Sequence, residues 1–83
     1  MKQHTTKQKV IKNYRTLDIY TRLCEGKVIN KSEEAFRFVV GERTIQRDID
    51  DIRAFLAERA VNGSDNKKIE YSYEKKGFIM VDS

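Results

Sequence analysis

The stretch GERTIQRDIDDIRAFL, residues 41–56, combines a regular apolar spacing with a nearly balanced set of charges. Its isoleucines and its final leucine recur after four, three and four residues, which is the spacing of one face of an amphipathic helix. The pattern predicts a helix over about residues 42–59 with these apolar side chains in the core. They are Ile45, Ile49, Ile52 and Leu56.

The charges of this predicted helix are separated along its length. Its first two turns carry Arg43 and Arg47 opposite the isoleucines, with Thr44 and Gln46 beside them. The aspartates begin at Asp48. A recognition helix commonly enters the DNA major groove by its amino-terminal end, so acids in the later turns can lie clear of phosphates. The mixed charge of the stretch is therefore compatible with DNA binding.

A first helix is predicted over about residues 11–25. Apolar or partly apolar side chains recur there at steps of three and four residues, and Gly26 ends the pattern. The stripe expected to face the core consists of Tyr14, Leu17, Tyr20 or Thr21, and Cys24.

A second helix is predicted from residue 31 to 38 or 39. Asn30 is its expected N-cap, with Glu33 as the reciprocal member of a capping box. Its buried side chains are expected to be Ala35, Phe38 and the aliphatic part of Glu34. The pattern leaves Phe36 facing solvent, which a contact with a partner would explain.

The end of the chain predicts a β-hairpin. The polar stretch VNGSDNKK, residues 61–68, breaks the third helix, and Ile69, Tyr71 and Tyr73 then alternate with polar residues as in a half-buried strand. EKKG and the apolar run FIMV follow. Gly77 fits the left-handed residue that closes a type I turn, which leaves the wing tip, residues 74–77, exposed.

Three helices followed by a two-stranded hairpin predict a mainly α fold, a winged helix-turn-helix. At 83 residues the chain has room for one small core. We expect residues 11–83 to form this domain and residues 1–10 to form a basic flexible arm. The first 15 residues carry five basic residues and no acid, while the other 12 basic and 13 acidic residues sum to −1. Such an arm can lie along phosphates or can simply be a solvated, mobile terminus.

Several other classes of protein are disfavoured by the sequence. It has no apolar run of about 18 residues and no signal-peptide pattern, so a cytoplasmic protein without a membrane partner is expected. The single cysteine, Cys24, is expected to be a small core residue, and the lone histidine, His4, has no metal-ligand spacing around it. No nucleophile has a base placed for it. We therefore expect neither an enzyme nor a bound metal or cofactor.

The expected DNA contacts fall into two groups. Arg43, Gln46 and Arg47 are the predicted base readers, because arginine can bind guanine and glutamine can bind adenine through two hydrogen bonds each. The predicted backbone contacts lie near the amino ends of the second and third helices and on the wing. They are Lys31, Ser32, Thr44, Lys75 and Lys76.

The same residues have structural alternatives. Arg47 lies four residues before Asp51 and can instead form a surface ion pair with it. Lys75 and Lys76 can be a merely solvated hairpin tip. For Asp48, a structural pairing with a neighbouring basic side chain is favoured over recognition of cytosine. A winged helix can also serve as a protein-interaction module without reading DNA.

The segments ERTIQRDIDDIRAFL and IEYSYEKKGFIM resemble the amino-terminal winged helix-turn-helix of the WYL-domain family of bacterial transcriptional regulators, broadly the DeoR-like group. The resemblance covers about residues 15–82, with KKGF in the position of the family's wing. It implies sequence-specific binding of double-stranded DNA, usually as a homodimer, and a downstream WYL sensor domain that the 83 residues do not contain. The recognition-helix pattern is carried by Arg43, Thr44, Ile45, Arg47, Asp48 and Ile49.

Two residues depart from the pattern of that family. Val39 stands in the turn where the family usually has glycine, and a valine at positive φ is strained. Gly41 stands at the recognition-helix cap where the family usually has serine. It remains an acceptable cap but lacks a hydroxyl that could contact phosphate.

Overall fold

The computed structural model describes residues 3–63 and 66–82, with side chains from Lys12 onward. It confirms the predicted architecture of three helices and a two-stranded antiparallel hairpin, the winged helix-turn-helix. The elements in chain order are α1 (Gln3–Cys24), α2 (Lys31–Phe38), α3 (Glu42–Val61), β1 (Lys67–Ser72) and β2 (Gly77–Asp82).

The first helix is longer than predicted. It begins at Gln3 rather than near residue 11, so the backbone of residues 3–10 continues α1 instead of forming a separate segment. Residues 1–25 contain neither glycine nor proline, and lysine and glutamine favour helix. Lys2 lies outside the described residues, as do the side chains of His4, Lys7 and Lys9. The other two basic residues counted in the first 15, Lys12 and Arg15, bind aspartates of α3.

The core is formed by one face of α1, one face of α3, the segment before α2 and one end of the wing, and Ala35 and Phe38 of α2 pack against it partly buried. The apolar face of α3 is buried as predicted, and it meets side chains from α1, from the segment before α2 and from both strands. The buried apolar residues are Ile19, Leu23, Ile29, Ile45, Ile49, Ile52, Leu56, Ile69 and Phe78.

The predicted core face of α1 is wrong except at Tyr20, which is partly buried against the core. Tyr14 is 65% exposed and Leu17 is 62% exposed, and Cys24 lies at the surface rather than in the core. The helix instead buries Ile19 and Leu23. Its orientation therefore differs from the one that the spacing of apolar residues alone predicts.

A buried ion pair between α1 and α3 explains part of this difference. The guanidinium of Arg15 contacts both carboxylate oxygens of Asp48, with 3.2 Å between Nη2 and Oδ1. The Thr16 hydroxyl donates to the same carboxylate at 3.2 Å, and Lys12 Nζ lies 3.7 Å from it. Asp48 is fully buried, and its contacts with Arg15 confirm the predicted pairing with a basic side chain.

A second, partly buried ion pair joins α1 to α2. Arg22 Nη1 and Nη2 each donate to a carboxylate oxygen of Glu34 at 2.7 Å, and Nη2 also donates to Asp18 at 2.9 Å. Donation of these hydrogen bonds to the Glu34 carboxylate raises the pKa of the Arg22 guanidinium. The whole Glu34 side chain is buried, not just its aliphatic part. Charged residues thus lie on the inner face of α1. The spacing of apolar residues alone predicts that these charged residues face solvent.

The helix-turn-helix turn contains the strained valine that the sequence predicts. Val39 ends α2 in the left-handed conformation, with φ 56° and ψ 52°, and its side chain is 87% exposed. For a residue with a β-carbon this conformation costs about 1–2 kcal/mol. Gly41 then caps α3 without a side-chain hydrogen bond, as expected for a glycine.

The wing differs from its prediction at the turn. Lys76, not Gly77, adopts the left-handed conformation, with φ 59°. Gly77 is required for another reason, since a β-carbon there would lie 2.8 Å from the carbonyl oxygen of Ile29. Ile29 pairs with Phe78 through two backbone hydrogen bonds of 2.9 and 2.7 Å, a bridge absent from the prediction. Tyr73 lies in the turn after β1 and is exposed rather than half-buried.

The buried pair predicts a large effect of Asp48→Asn on stability. The change leaves the buried Arg15 guanidinium without its counter-charge, and we expect the free energy of unfolding to fall by about 3 kcal/mol. Urea denaturation measures this value. Asp51→Asn is the matched control on the same helix, because Asp51 is exposed and its pair with Lys12 should contribute under about 1 kcal/mol. Equal losses for the two variants would contradict the structural role of Asp48.

The strained turn predicts that Val39→Gly stabilises the protein. Glycine adopts the left-handed conformation without the steric cost that valine bears, although it adds entropy to the unfolded chain. We expect a net gain of about 0.5–1 kcal/mol in the free energy of unfolding. Val39→Ala is the control, since alanine keeps a β-carbon and should gain less. A loss of stability in Val39→Gly would show that the valine side chain makes a stabilising contact.

Candidate nucleic-acid interface

The neighbours of α3 occupy two flanks and leave a third face open. On one flank Asp48 and Asp51 bind side chains of α1. On the other, Gln46 binds Lys31 of α2, and Arg53 Nη2 lies 3.4 Å from the carbonyl oxygen of Ile69 in β1. At about 100° per residue, the positions midway between these flanks are 43, 47, 50 and 54. This open face starts at the amino end of α3.

Arg43 and Arg47 occupy the first two turns of the open face. Both side chains are exposed, and within the described part of the chain neither guanidinium makes an ion pair. The alternative pair between Arg47 and Asp51 does not form. Asp51 instead binds Lys12, with 3.2 Å between Nζ and Oδ2. Two cationic side chains therefore project from one end of the helix, as the sequence predicts.

The aspartates of α3 are held by basic side chains of the fold. Asp48 binds Arg15, Asp51 binds Lys12, and Asp50 lies 3.6 Å from Arg53 Nη1. Glu42 remains exposed at the first helical position, where the amino end of the helix dipole stabilises a carboxylate. The aspartates thus offset charges elsewhere in the domain rather than those of the two open arginines.

Gln46 is less available for base reading than the sequence predicts. Its Oε1 accepts a hydrogen bond from Lys31 Nζ at 2.9 Å, and its Nε2 donates to Asp50 Oδ1 at 3.0 Å. The predicted backbone contact Lys31 is bound in the same pair, and Thr44 is half-buried beside the cap at Gly41. Both amide atoms of Gln46 are thus engaged within the domain, whereas the Lys31 ammonium keeps two further N–H donors for a phosphate.

The wing tip and the amino end of α2 lie against each other. Ser32, Lys75 and Lys76 are all exposed there. Asn30 joins the two elements, since its Nδ2 donates to the Lys76 carbonyl at 3.0 Å while its Oδ1 accepts from the backbone N–H of Glu33 at 3.0 Å. The second bond confirms Asn30 as the N-cap. No local pattern indicates the first, because its partners are 46 residues apart.

The predicted site residues therefore meet on one side of the domain. The pair between Lys31 and Gln46 connects the amino end of α2 to α3, and Asn30 connects it to the wing. Cationic side chains from three elements share this surface, which we call the basic face. It comprises Lys31, Ser32, Arg43, Thr44, Gln46, Arg47, Lys75 and Lys76.

Other kinds of site find little support in the described residues. Among them, no group of three or more histidine, cysteine, aspartate or glutamate side chains is arranged to hold a metal ion. No described helix has the length and apolarity needed to cross a membrane. An apolar groove of about 180 Å³ lies between α1 and α3, lined in part by Leu17, Tyr20 and Phe55, on the flank of α3 and nearer its carboxyl end than Arg43.

Comparison with known proteins adds no assignment. The chain matches no protein-family model, no curated protein and no solved structure.

Proposed function

We propose that the protein binds double-stranded DNA through the basic face. The amino end of α3 enters the major groove, and the wing tip contacts the flanking backbone. The observation that carries the proposal is the distribution of charge on α3. Its three aspartates are engaged by Arg15, Lys12 and Arg53, whereas Arg43 and Arg47 project from the open face.

The chemistry of the basic face suits this role. An exposed arginine at the start of a recognition helix can donate two hydrogen bonds to guanine O6 and N7. The exposed Ser32 hydroxyl and the wing lysines, Lys75 and Lys76, can contact phosphates, which sets the position of the domain without selecting sequence. Base reading is therefore assigned first to Arg43 and Arg47, with Gln46 available if its bond to Lys31 opens.

The sequence resemblance extends the proposal to a biological role. We propose a cytoplasmic transcriptional regulator of the WYL-domain type, whose winged helix reads one half-site. A homodimer would place two such domains on neighbouring half-sites, and engaging both raises affinity well above that of one.

The experiment that tests the proposal is fluorescence anisotropy with a labelled mixed-sequence duplex at several salt concentrations. We expect the wild-type chain to bind with a negative slope of log K against log salt, because bound phosphates release counterions. The double variant Arg43→Ala/Arg47→Ala should weaken binding by at least about tenfold, since each base-reading arginine contributes about 1–3 kcal/mol.

The matched control is Lys67→Ala/Lys68→Ala. It removes the same number of positive charges, but from the end of the hairpin that is remote from the tip. The comparison therefore distinguishes an effect of where the charges lie from an effect of net charge. It should weaken binding much less than the arginine double variant. Equal effects of the two double variants, or no binding by the wild type even at low salt, would contradict the proposal.

A second candidate function is a protein-interaction module without DNA readout. Phe36 on α2 is 88% exposed and Val39 follows it in the turn, which places two large apolar side chains at the surface. A contiguous exposed apolar patch commonly marks a contact with a partner, and these two side chains would be its centre. Absence of duplex affinity at low salt, together with salt-insensitive binding to a protein, would favour this function.

A further inference from the structure

The Asn30 side chain makes more contacts than an N-cap requires. Capping needs one acceptor, and serine or aspartate caps a helix about as well as asparagine. Here Oδ1 accepts from the Glu33 N–H at 3.0 Å and from the Ser32 hydroxyl at 2.7 Å. The amide nitrogen donates to the Lys76 carbonyl oxygen at 3.0 Å. This donor is what distinguishes asparagine from the other good caps.

The accepting partner is a strained part of the wing. Lys76 has φ 59°, a conformation that non-glycine residues adopt at a cost. The bridge between Ile29 and Phe78 joins the wing to the same segment one residue before Asn30 and two residues after Lys76. The backbone hydrogen bonds between Ile29 and Phe78 hold the start of β2, and the Asn30 side chain adds a bond to Lys76 in the turn itself. The turn is therefore anchored to the segment before α2 rather than projecting freely.

From these contacts we infer that Asn30 is a positioning residue for DNA binding, and this inference rests on the proposed function. Asn30 holds the wing tip against the amino end of α2. The lysines of the tip and the Ser32 hydroxyl then meet the DNA backbone as one preformed surface. A wing that is ordered before binding avoids the loss of loop entropy that binding otherwise entails.

Two variants separate the cap from the anchor. Asn30→Ser keeps a cap oxygen without adding charge, and Asn30→Asp keeps the size of the side chain and the acceptor. Both lack the amide that donates to Lys76. Agreement between them excludes an effect of the added charge alone, because Asn30→Ser introduces no carboxylate near the phosphates.

The first measurement does not involve DNA. Trypsin cleaves after Lys75 and Lys76, and mass spectrometry follows these cuts in the native protein. We expect cleavage at the tip to accelerate about two- to tenfold in both variants, which corresponds to the loss of one neutral hydrogen bond. Cleavage after Arg59, near the carboxyl end of α3, is the internal reference and should stay near the wild-type rate. Unchanged cleavage at the tip would overturn the anchor.

The second measurement is duplex affinity in two backgrounds. Asn30→Ser should lower affinity about two- to fivefold in the wild-type chain and reduce the steepness of its salt dependence. In the Lys75→Ala/Lys76→Ala background it should have no further effect, because a residue that acts through the wing lysines is not additive with their loss. A merely destabilised helix would weaken both backgrounds equally, and that result would overturn the positioning role.

The two measurements also distinguish this inference from the proposed function. If the wild type binds no DNA, the proposed function fails and the DNA part of the inference fails with it. The cleavage rates still decide whether Asn30 anchors the wing. If the wild type binds DNA and the variants bind equally well, the proposed function stands and the positioning role is overturned.

Discussion

The buried ion pair between Arg15 and Asp48 is the interaction on which the rest of the structure depends. It lies between α1 and α3 with both side chains nearly inaccessible, so neither charge has water as an alternative partner. A buried charge without its counter-charge is strongly unfavourable. The pair therefore fixes how α1 rotates and where it sits along α3. The pair between Arg22 and Glu34 imposes the same constraint between α1 and α2.

This constraint also shapes the electrostatics of the surface. By holding Asp48 inside and binding Asp51 through Lys12, α1 takes up two of the acids that make α3 nearly neutral in sequence. The open face then begins with Arg43 and Arg47, which no described side chain pairs. A helix of balanced composition can thus present a cationic end, because its acids serve the fold and its arginines face outward.

The sequence predicted the parts of the fold that local patterns determine. The apolar period of α3, the cap at Asn30 and the hairpin are all local, and so is the exposure of Arg43 and Arg47 opposite the isoleucines. The prediction from the sequence failed where a charge far away in the chain determines how a helix is oriented. The inner face of α1 contains Arg15, which pairs with Asp48, rather than a continuous apolar stripe. The bond that engages Gln46 and the contact between Asn30 and the wing likewise join residues far apart in the chain, so no local pattern indicates them.

The proposed contact of DNA with the amino end of α3 and the wing tip can be tested residue by residue in an NMR titration. Amide chemical shifts of the ¹⁵N-labelled chain would be followed as a duplex is added at low salt. We expect the largest changes at residues 43–47 and 75–77, with little change around Leu17 and Phe55, which line the apolar groove between α1 and α3. Changes confined to that groove, with none at Arg43 and Arg47, would contradict the proposed DNA interface.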